Sequence, residues 1–432
     1  MRMGQKTLRR LWARFCQKGN TDVQMDKNYS AARELFAAYG IDTEAALSKM
    51  DQIPVSINCW QLDDITGFES TGHALSGGIA VTGSAPGKAE TREQFFAMMD
   101  KVLESVPGPK KIGVHAIYLD DKGKSVERDQ ISPENYSFWV DYAKARGIGL
   151  DFNATFFSHP KSIAGTLSSE DDEIRRFWIE HGKRARKVGE YFGRELGQTC
   201  YTNHWIPDGM KDTCIDKLAP RHRLAESLDE MFREKIDPRY NVDSVESKLF
   251  GLGSESYVVG SAEFYENYAF DRRNCIVCLD SGHFHPTEYV SDKISSFLVF
   301  GQELMLHVSR PVRWDSDHVV SLNKETTDIM REIARQDAFD CVHIGLDFFD
   351  GTIDRQTASI TGSNNTKKAI LLALLEPIDE LRRCESSGDF TERLALYEKI
   401  KLLPYGAVWD EYCRRCGIEN PEVYVCQNPP SL

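Results

Sequence analysis

The sequence predicts an α/β fold, a (β/α)8 TIM barrel with a C-terminal helical extension. Three observations predict it. Short β-branched and apolar runs alternate with longer stretches of helical period, the order expected of parallel α/β architecture. The runs number eight, which suits a closed barrel better than an open sheet. No GxGxxG or P-loop follows the early runs, which counts against a nucleotide-binding sheet.

Taken in order, the chain opens on a basic arm over residues 1–27. Arg2, Lys6, Arg9, Arg10, Arg14 and Lys18 all precede the first acid, Asp22. The arm lacks the apolar core of a secretory signal. Of three readings (a presequence, a disordered arm, or sequence upstream of a start at Met25), the composition favours the last two. From Asn28 the pattern turns helical through Tyr29, Ala32, Leu35, Phe36 and Tyr39, and Gly40 closes it. The barrel domain is expected over 28–360. Its strands are expected at 53–60, 111–118, 147–154, 201–206, 242–250, 275–280, 303–309 and 341–348. Helical patterns fall between them at 91–106, 133–146, 171–196, 221–235, 288–301 and 324–339. Further helices at 365–386 and 390–403 belong to an extension over 361–432, expected to make oligomer contacts.

The composition narrows the class of partner. With 432 residues, 41% hydrophobic and 28% charged, the chain has the balance of a soluble globular protein large enough for a sizeable core. A net charge of −13 argues against nucleic acid or an anionic membrane and suits a small neutral or cationic ligand. No apolar run approaches the roughly 18–20 residues of a membrane span. Eleven cysteines, an odd count, point to reduced thiols in a cytosol rather than a disulfide framework. Two CxxC spacings occur, at Cys275/Cys278 and Cys413/Cys416. The first pair sits in a strand-like run and reads as core rather than as half of a zinc knuckle.

Residues 275–320 carry the chemistry. Asp280 closes the sixth run and His283 and His285 follow it; His307 lies late in the seventh; Asp315, Asp317 and His318 occupy the loop beyond. Asp347 lies late in the eighth run, and Glu246 and Lys248 share one face of the fifth at i, i+2. His115 and Trp60 lie late in the second and first runs. The active sites of such barrels sit at the C-terminal ends of the strands. One Asp at a strand end is commonly a helix cap or a turn residue, so the case rests on the set.

Glu246, Asp280, His307 and Asp347 converge from four adjacent strands, and cations are the natural compensation for buried carboxylates. They make a closed, mostly oxygen site. His283, Asp315 and Asp317 make a second site with positions open to substrate oxygens, so that two divalent ions polarise adjacent oxygens of one molecule. Oxygen ligands with imidazole admit Mn, Zn or Co, with no organic cofactor. His285 and His318 rival the favoured histidines, and spacing leaves both open. Lys248 reads as aimed at a substrate oxygen or as an ion-pair partner of Glu246. Asp350 either extends the site or solvates a loop. Trp60, Trp205 and Phe68 are either core residues or the flat apolar walls that sugar rings and methyl groups favour.

At these residues the chain resembles the L-rhamnose isomerases. The stretches that carry the resemblance are PVSINCWQ (54–61), HAIYL (115–119), GLDFN (149–153), IPDGMKD (206–212) and VESKLFG (245–251). LDSGHFHPTE (279–288), LHVSRPVRWDSDHVV (306–320) and HIGLDFFD (343–350) continue it, so that it spans roughly residues 29–416. The basic arm departs from the family pattern, and the tail after Cys416 matches it poorly.

The resemblance implies a (β/α)8 barrel, a homotetramer, and cytoplasmic interconversion of L-rhamnose and L-rhamnulose with a divalent metal, typically manganese. It implies structural-type ligands Glu246, Asp280, His307 and Asp347, catalytic-type ligands His283, Asp315 and Asp317, and Lys248 beside the substrate. The choice of His283 over His285 rests mainly on it. Lys248, Asp347 and His115 are expected to act in catalysis, His115 by contacting the ring oxygen or a hydroxyl during ring opening. Two other readings stay open: a related sugar isomerase or epimerase with another preferred aldose, and a non-catalytic, metal-stabilised sugar-binding barrel.

Overall fold

The computed structural model describes residues 22–70, 75–249 and 256–418. Eight parallel strands close a barrel: β1 (Val55–Asn58), β2 (Lys110–His115), β3 (Gly149–Thr155), β4 (Cys200–Trp205), β6 (Asn241–Glu246), β8 (Ile276–Asp280), β9 (Leu304–Val308) and β10 (Val342–Leu346). Two short strands, β5 (Gly209–Met210) and β7 (Tyr257–Val258), pair antiparallel outside it. The order around the barrel is β1-β10-β9-β8-β6-β4-β3-β2, each strand beside its successor, as right-handed β-helix-β crossovers require.

The helices in chain order are α1 (Asp22–Ala37), α2 (Thr43–Met50), α3 (Arg92–Ser105), α4 (Ser137–Lys144), α5 (Asp172–Leu196), α6 (Leu218–Met231), α7 (Ala262–Arg272), α8 (Val290–Leu298) and α9 (Lys324–Arg335). Then come α10 (Arg355–Leu374), α11 (Ile378–Ser386), α12 (Phe390–Ile400) and α13 (Tyr405–Arg415). Local chemistry sets their ends. For α5, Asp171 accepts from the Glu173 N–H at 2.8 Å, and Gly197 at φ +64° ends the helix with its N–H on Gly193 O. Inside α5, a Cβ on Gly193 would lie 1.9 Å from Tyr240 O, so only glycine lets the helix lie this close to the entry of β6.

Several expected boundaries differ. Residues 22–27, expected in the arm, belong to α1; residues 1–21 and the tail from 419 lie outside the described residues. Trp60 lies not in a strand but in a single 3-10 turn, Cys59–Leu62, that leaves β1. The fifth barrel strand stops at Glu246, so Lys248 follows the strand rather than belonging to it. The helix expected at 365–386 is two helices, α10 and α11, because Pro377 interrupts the backbone hydrogen bonding between them.

Strand alternation divides the side chains. Outward positions such as Ile112, Val114, Leu150, Phe152, Leu304, Leu306, Ile344 and Leu346 are buried against the helices. One outward patch is polar: Arg186 of α5 donates to Asp243 Oδ2 at 2.8 Å and Met231 O at 2.7 Å, while His204 Nε2 lies 3.0 Å from Asp243 Oδ1. Inward positions plug the barrel from below. Lys111 Nζ reaches Asp151 Oδ1 at 2.9 Å and Thr199 O at 2.6 Å, and Tyr201 stacks on His343 at 3.9 Å. At the base, α13 ties back to the start of the fold, Arg415 meeting Glu44 at 2.7 Å.

Candidate active site

Register brings the chemistry to one rim. Trp205 pairs with Glu246, Glu246 with Cys278, Asp280 with His307, and Gly345 with His307, while His115 pairs with Asn153 on the far side. Asp347, one residue past β10, completes the arc. All sit at or just past the C-terminal ends of their strands; His115, Asn153, Trp205, Glu246, His307 and Asp347 line a cavity of ≈ 260 Å³, and Asp280 does not.

Glu246 is the hinge of the arrangement. Its Oε1 lies 3.2 Å from His283 Nδ1, and its Oε2 lies 2.9 Å from His307 Nδ1 and accepts from the Asn203 amide. His307 Nδ1 is also 3.3 Å from Asp347 Oδ2, and His283 Nε2 is 3.1 Å from Asp315 Oδ2. Trp60 Nε1–H donates to Asp347 Oδ1 at 3.0 Å. Donor atoms of Glu246, Asp280, His307 and Asp347 all lie within 4.8 Å of one another, and so do those of Asp280, His283 and Asp315. Asp280 therefore belongs to both groups. Asp317 lines the same cavity but stands outside that second group; its φ of +44° turns the loop there, and its carbonyl accepts from Phe349 N–H.

The electrostatics of the group favour a bound cation. Burial raises the carboxyls of Asp280 and Asp317 well above the carboxylate range, and neighbouring carboxylates push the same way. Burial also works to raise Glu246, but the imidazoles of His307 and His283 outweigh it and hold that carboxyl low. Both imidazoles are held above their usual value against burial, His283 by Asp280 and Asp315, His307 by Cys278 and Glu246. Among the described residues, no hydrogen bond of ordinary geometry reaches Asp280 Oδ2, His283 Nδ1, His307 Nδ1 or Asp315 Oδ1, all buried. Four orphaned donor atoms in two tight groups, oxygen and imidazole in type, fit divalent cations. Gly282 leaves the room: a Cβ there would lie 2.5 Å from Asp315 Oδ1 and 3.2 Å from Asp280 Oδ1.

The remaining expected residues divide. Trp60, His115 and Trp205 line the cavity. His115 packs edge-on against Trp60 at 4.5 Å and Phe157 at 5.6 Å, and burial pushes its pKa down to about 3. Lys248 is buried one layer behind, 5.9 Å from the Trp205 ring, with Nζ on Pro207 O at 2.9 Å; it does not line the cavity. Phe68 is a correction, for it packs away from the cavity, 5.1 Å from both Phe95 and Tyr118. Gly67, at φ +73°, turns the chain so that the Phe68 and Glu69 N–H groups both meet Ile117 O, which aims the ring into the helix layer.

Of the rivals, His285 is exposed and bound to Thr287 Oγ1 at 2.8 Å outside the cavity. His318 does line it, with Nδ1 on Ser316 Oγ at 2.9 Å. Asp350 lines it too, its carboxylate tied to Thr352 N–H and hydroxyl. Asn153, Phe157, Asn203 and Trp314 also line the cavity and were not anticipated. For Asn203 the signal was present: it precedes Trp205 by two residues and so shares its face.

Comparison with known proteins follows the same line. A family model described as L-rhamnose isomerase matches residues 23–426. An L-rhamnose isomerase of Mannheimia succiniciproducens is 56% identical over 390 residues, 90% of this chain and 93% of that protein. One from Escherichia coli O7:K1 is 55% identical over 394 residues, 91% of this chain and 94% of that protein. Among solved structures, a D-psicose 3-epimerase from Clostridium cellulolyticum H10 matches at TM-score 0.44 with 14% identity, covering 74% of this chain and 97% of that one. So distant a likeness adds nothing to the barrel topology already described.

Proposed function

The chain belongs to the L-rhamnose isomerase family, and from that premise we propose that this isomerase interconverts L-rhamnose and L-rhamnulose, an aldose and its ketose, as the first step of rhamnose catabolism. The observation that carries the reading is the pair of donor groups, joined through Asp280, at the strand ends, with Glu246, His283, His307, Asp315 and Asp347 all lining one cavity. Glu246, Asp280, His307 and Asp347 would hold the closed, structural-type site; His283, Asp315 and Asp317 would hold the open, catalytic-type one. The proposed cofactor is manganese, with zinc or cobalt admitted at one site, and when bound it supplies Lewis acidity toward adjacent substrate oxygens.

The chain's own residues do the rest. Trp60 and Trp205 offer flat walls to the sugar's apolar faces, and Asn153 offers an amide to its hydroxyls, while the Asn203 amide is spent on orienting Glu246. His115, neutral in its buried pocket, exchanges hydrogen bonds with the sugar at ring opening rather than carrying charge. Lys248, with its Nζ on Pro207 O behind Trp205, would act on the sugar only through that wall, as a support for Trp205. Hydrogen then passes between C1 and C2, and the lining favours its passage as hydride over an enediol. Glu246, His283, His307, Asp315, Asp317 and Asp347 belong to the proposed ligand sets; Asp350 is tied to Thr352, and His318 to Ser316. Among the described residues that line the cavity, that leaves no carboxylate uncommitted as a base for C2.

A homotetramer in the cytoplasm completes the proposal. Free cysteines such as Cys59, Cys200 and Cys278 suit a reducing compartment. Exposed apolar side chains at Val299, Phe300 and Leu402 supply surface for subunit contact. The test is ketose formation from L-rhamnose by protein stripped with chelator and resupplied with manganese. Activity should vanish and return, and Asp315→Asn should abolish it. Reloaded, folded protein that binds manganese yet leaves L-rhamnose unchanged would sink the reading.

A further inference from the structure

We propose that Thr155 is a positioning residue: its hydroxyl donates to Nδ1 of His115 and so holds that imidazole in the tautomer with its hydrogen on Nε2. Thr155 follows Asn153 by two residues on β3, and Asn153 pairs in register with His115 on β2, so both side chains face the barrel interior. Thr155 is fully buried, and its Oγ1 lies 3.1 Å from His115 Nδ1.

The neighbouring groups decide who donates. Oγ1 accepts from the Ala116 N–H at 3.1 Å, which occupies one lone pair. Its single hydrogen has two destinations, His115 Nδ1 at 3.1 Å or Asn153 O at 3.4 Å. The second is long for an O–H···O bond, and Asn153 O already accepts from Ala116 N–H at 3.0 Å. With hydrogen on Nδ1, the hydroxyl would accept twice and keep only that long contact. With hydrogen on Nε2, the hydroxyl donates to Nδ1, so that both Nδ1 and the Thr155 hydroxyl are satisfied. Trp60 and Phe157 pack edge-on against the ring, and His115 lines the cavity, so with Nδ1 held by Thr155 the Nε2–H is the ring donor left for a ligand there. For the sugar, this rests on the proposed isomerase reading: Nε2–H meets an oxygen of the closed ring as it opens.

The tautomer can be read without turnover. In protein loaded with magnesium and carrying ¹⁵N-histidine, the His115 resonances, assigned by their loss in His115→Gln, should show hydrogen on Nε2 and a hydrogen-bonded, unprotonated Nδ1. Thr155→Val should mix or reverse the tautomers, and Thr155→Ser should restore the wild-type pattern. Hydrogen on Nδ1 in the wild type overturns the proposal and needs no variant to fold; so does an unchanged pattern in Thr155→Val. With manganese, kcat on L-rhamnose should fall at least on the order of tenfold in Thr155→Val, as when a histidine is held in the wrong tautomer. KM should stay close to wild type, and Thr155→Ser should rescue kcat; an unchanged kcat in Thr155→Val overturns the positioning role. Wild-type protein with the expected tautomer but no isomerase activity would instead count against the proposed function alone.

Discussion

Trp60 Nε1–H donates to Asp347 Oδ1 at 3.0 Å while Asp347 Oδ2 lies 3.3 Å from His307 Nδ1. One aromatic side chain thus serves two purposes, as a wall of the cavity and as the donor that orients a carboxylate of the four-residue group. Trp60→Phe separates them, keeping a ring and removing the N–H. Loss of such an orienting bond typically weakens metal binding by about 10- to 100-fold. Manganese titration followed by electron paramagnetic resonance should show that loss, with KM for L-rhamnose nearly unchanged at saturating metal.

Phe68 supplies the converse test. It packs among Phe95, Tyr118 and Trp139 rather than against the cavity. Phe68→Ala should therefore lower stability by up to about 3 kcal/mol, as truncation of a large packed side chain does, and leave KM where it was. A rise in KM without loss of stability in urea unfolding would restore Phe68 to the binding wall.

The Arg186–Asp243–His204 group lies outside the barrel wall, buried beneath α5. Asp243→Asn keeps the shape and removes the charge, leaving Arg186 without its counter-ion. Breaking a buried pair in this way costs about 3–5 kcal/mol. Urea unfolding should register that cost, while manganese affinity at the rim stays unchanged.

His181 sets part of the acid sensitivity. Burial and the neighbouring Arg128 charge push its pKa from 6.5 to about 3, with Nδ1 on Arg128 O at 2.9 Å. Between those two values the unfolded chain binds a proton that the native chain refuses. This group's influence therefore makes stability fall as pH drops from 6.5 toward about 3. The slope reaches at most about 1.4 kcal/mol per pH unit. Relative to wild type, His181→Gln should show a flatter fall of unfolding free energy within that window.

The sequence alone determined the barrel and most of its rim. Eight β-like runs in alternation with helical pattern imply a parallel sheet covered by helices, and that number suits a closed barrel better than an open sheet. Carboxylates and imidazoles at trailing strand ends then meet on one side, because strand ends and strand faces are local properties with a period of two. Glu246, Asp280, His307 and Asp347 were legible for that reason.

Only the tertiary structure decided relations that no period encodes. Asp280 joins both donor groups because β8 lies between β6 and β9, and Gly282 leaves room for the Asp315 carboxylate beside it. His285 faces outward, Phe68 turns into the helix layer at Gly67, and Lys248 withdraws behind Trp205. For two of these the path is set by contacts with distant segments, Ile117 O for the turn at Phe68 and Gly260 O for the backbone at Lys248, while His285 is held by its own turn through Thr287. The Thr155 hydroxyl beside His115 belongs with them, since it comes from the next strand and is placed by register across the sheet.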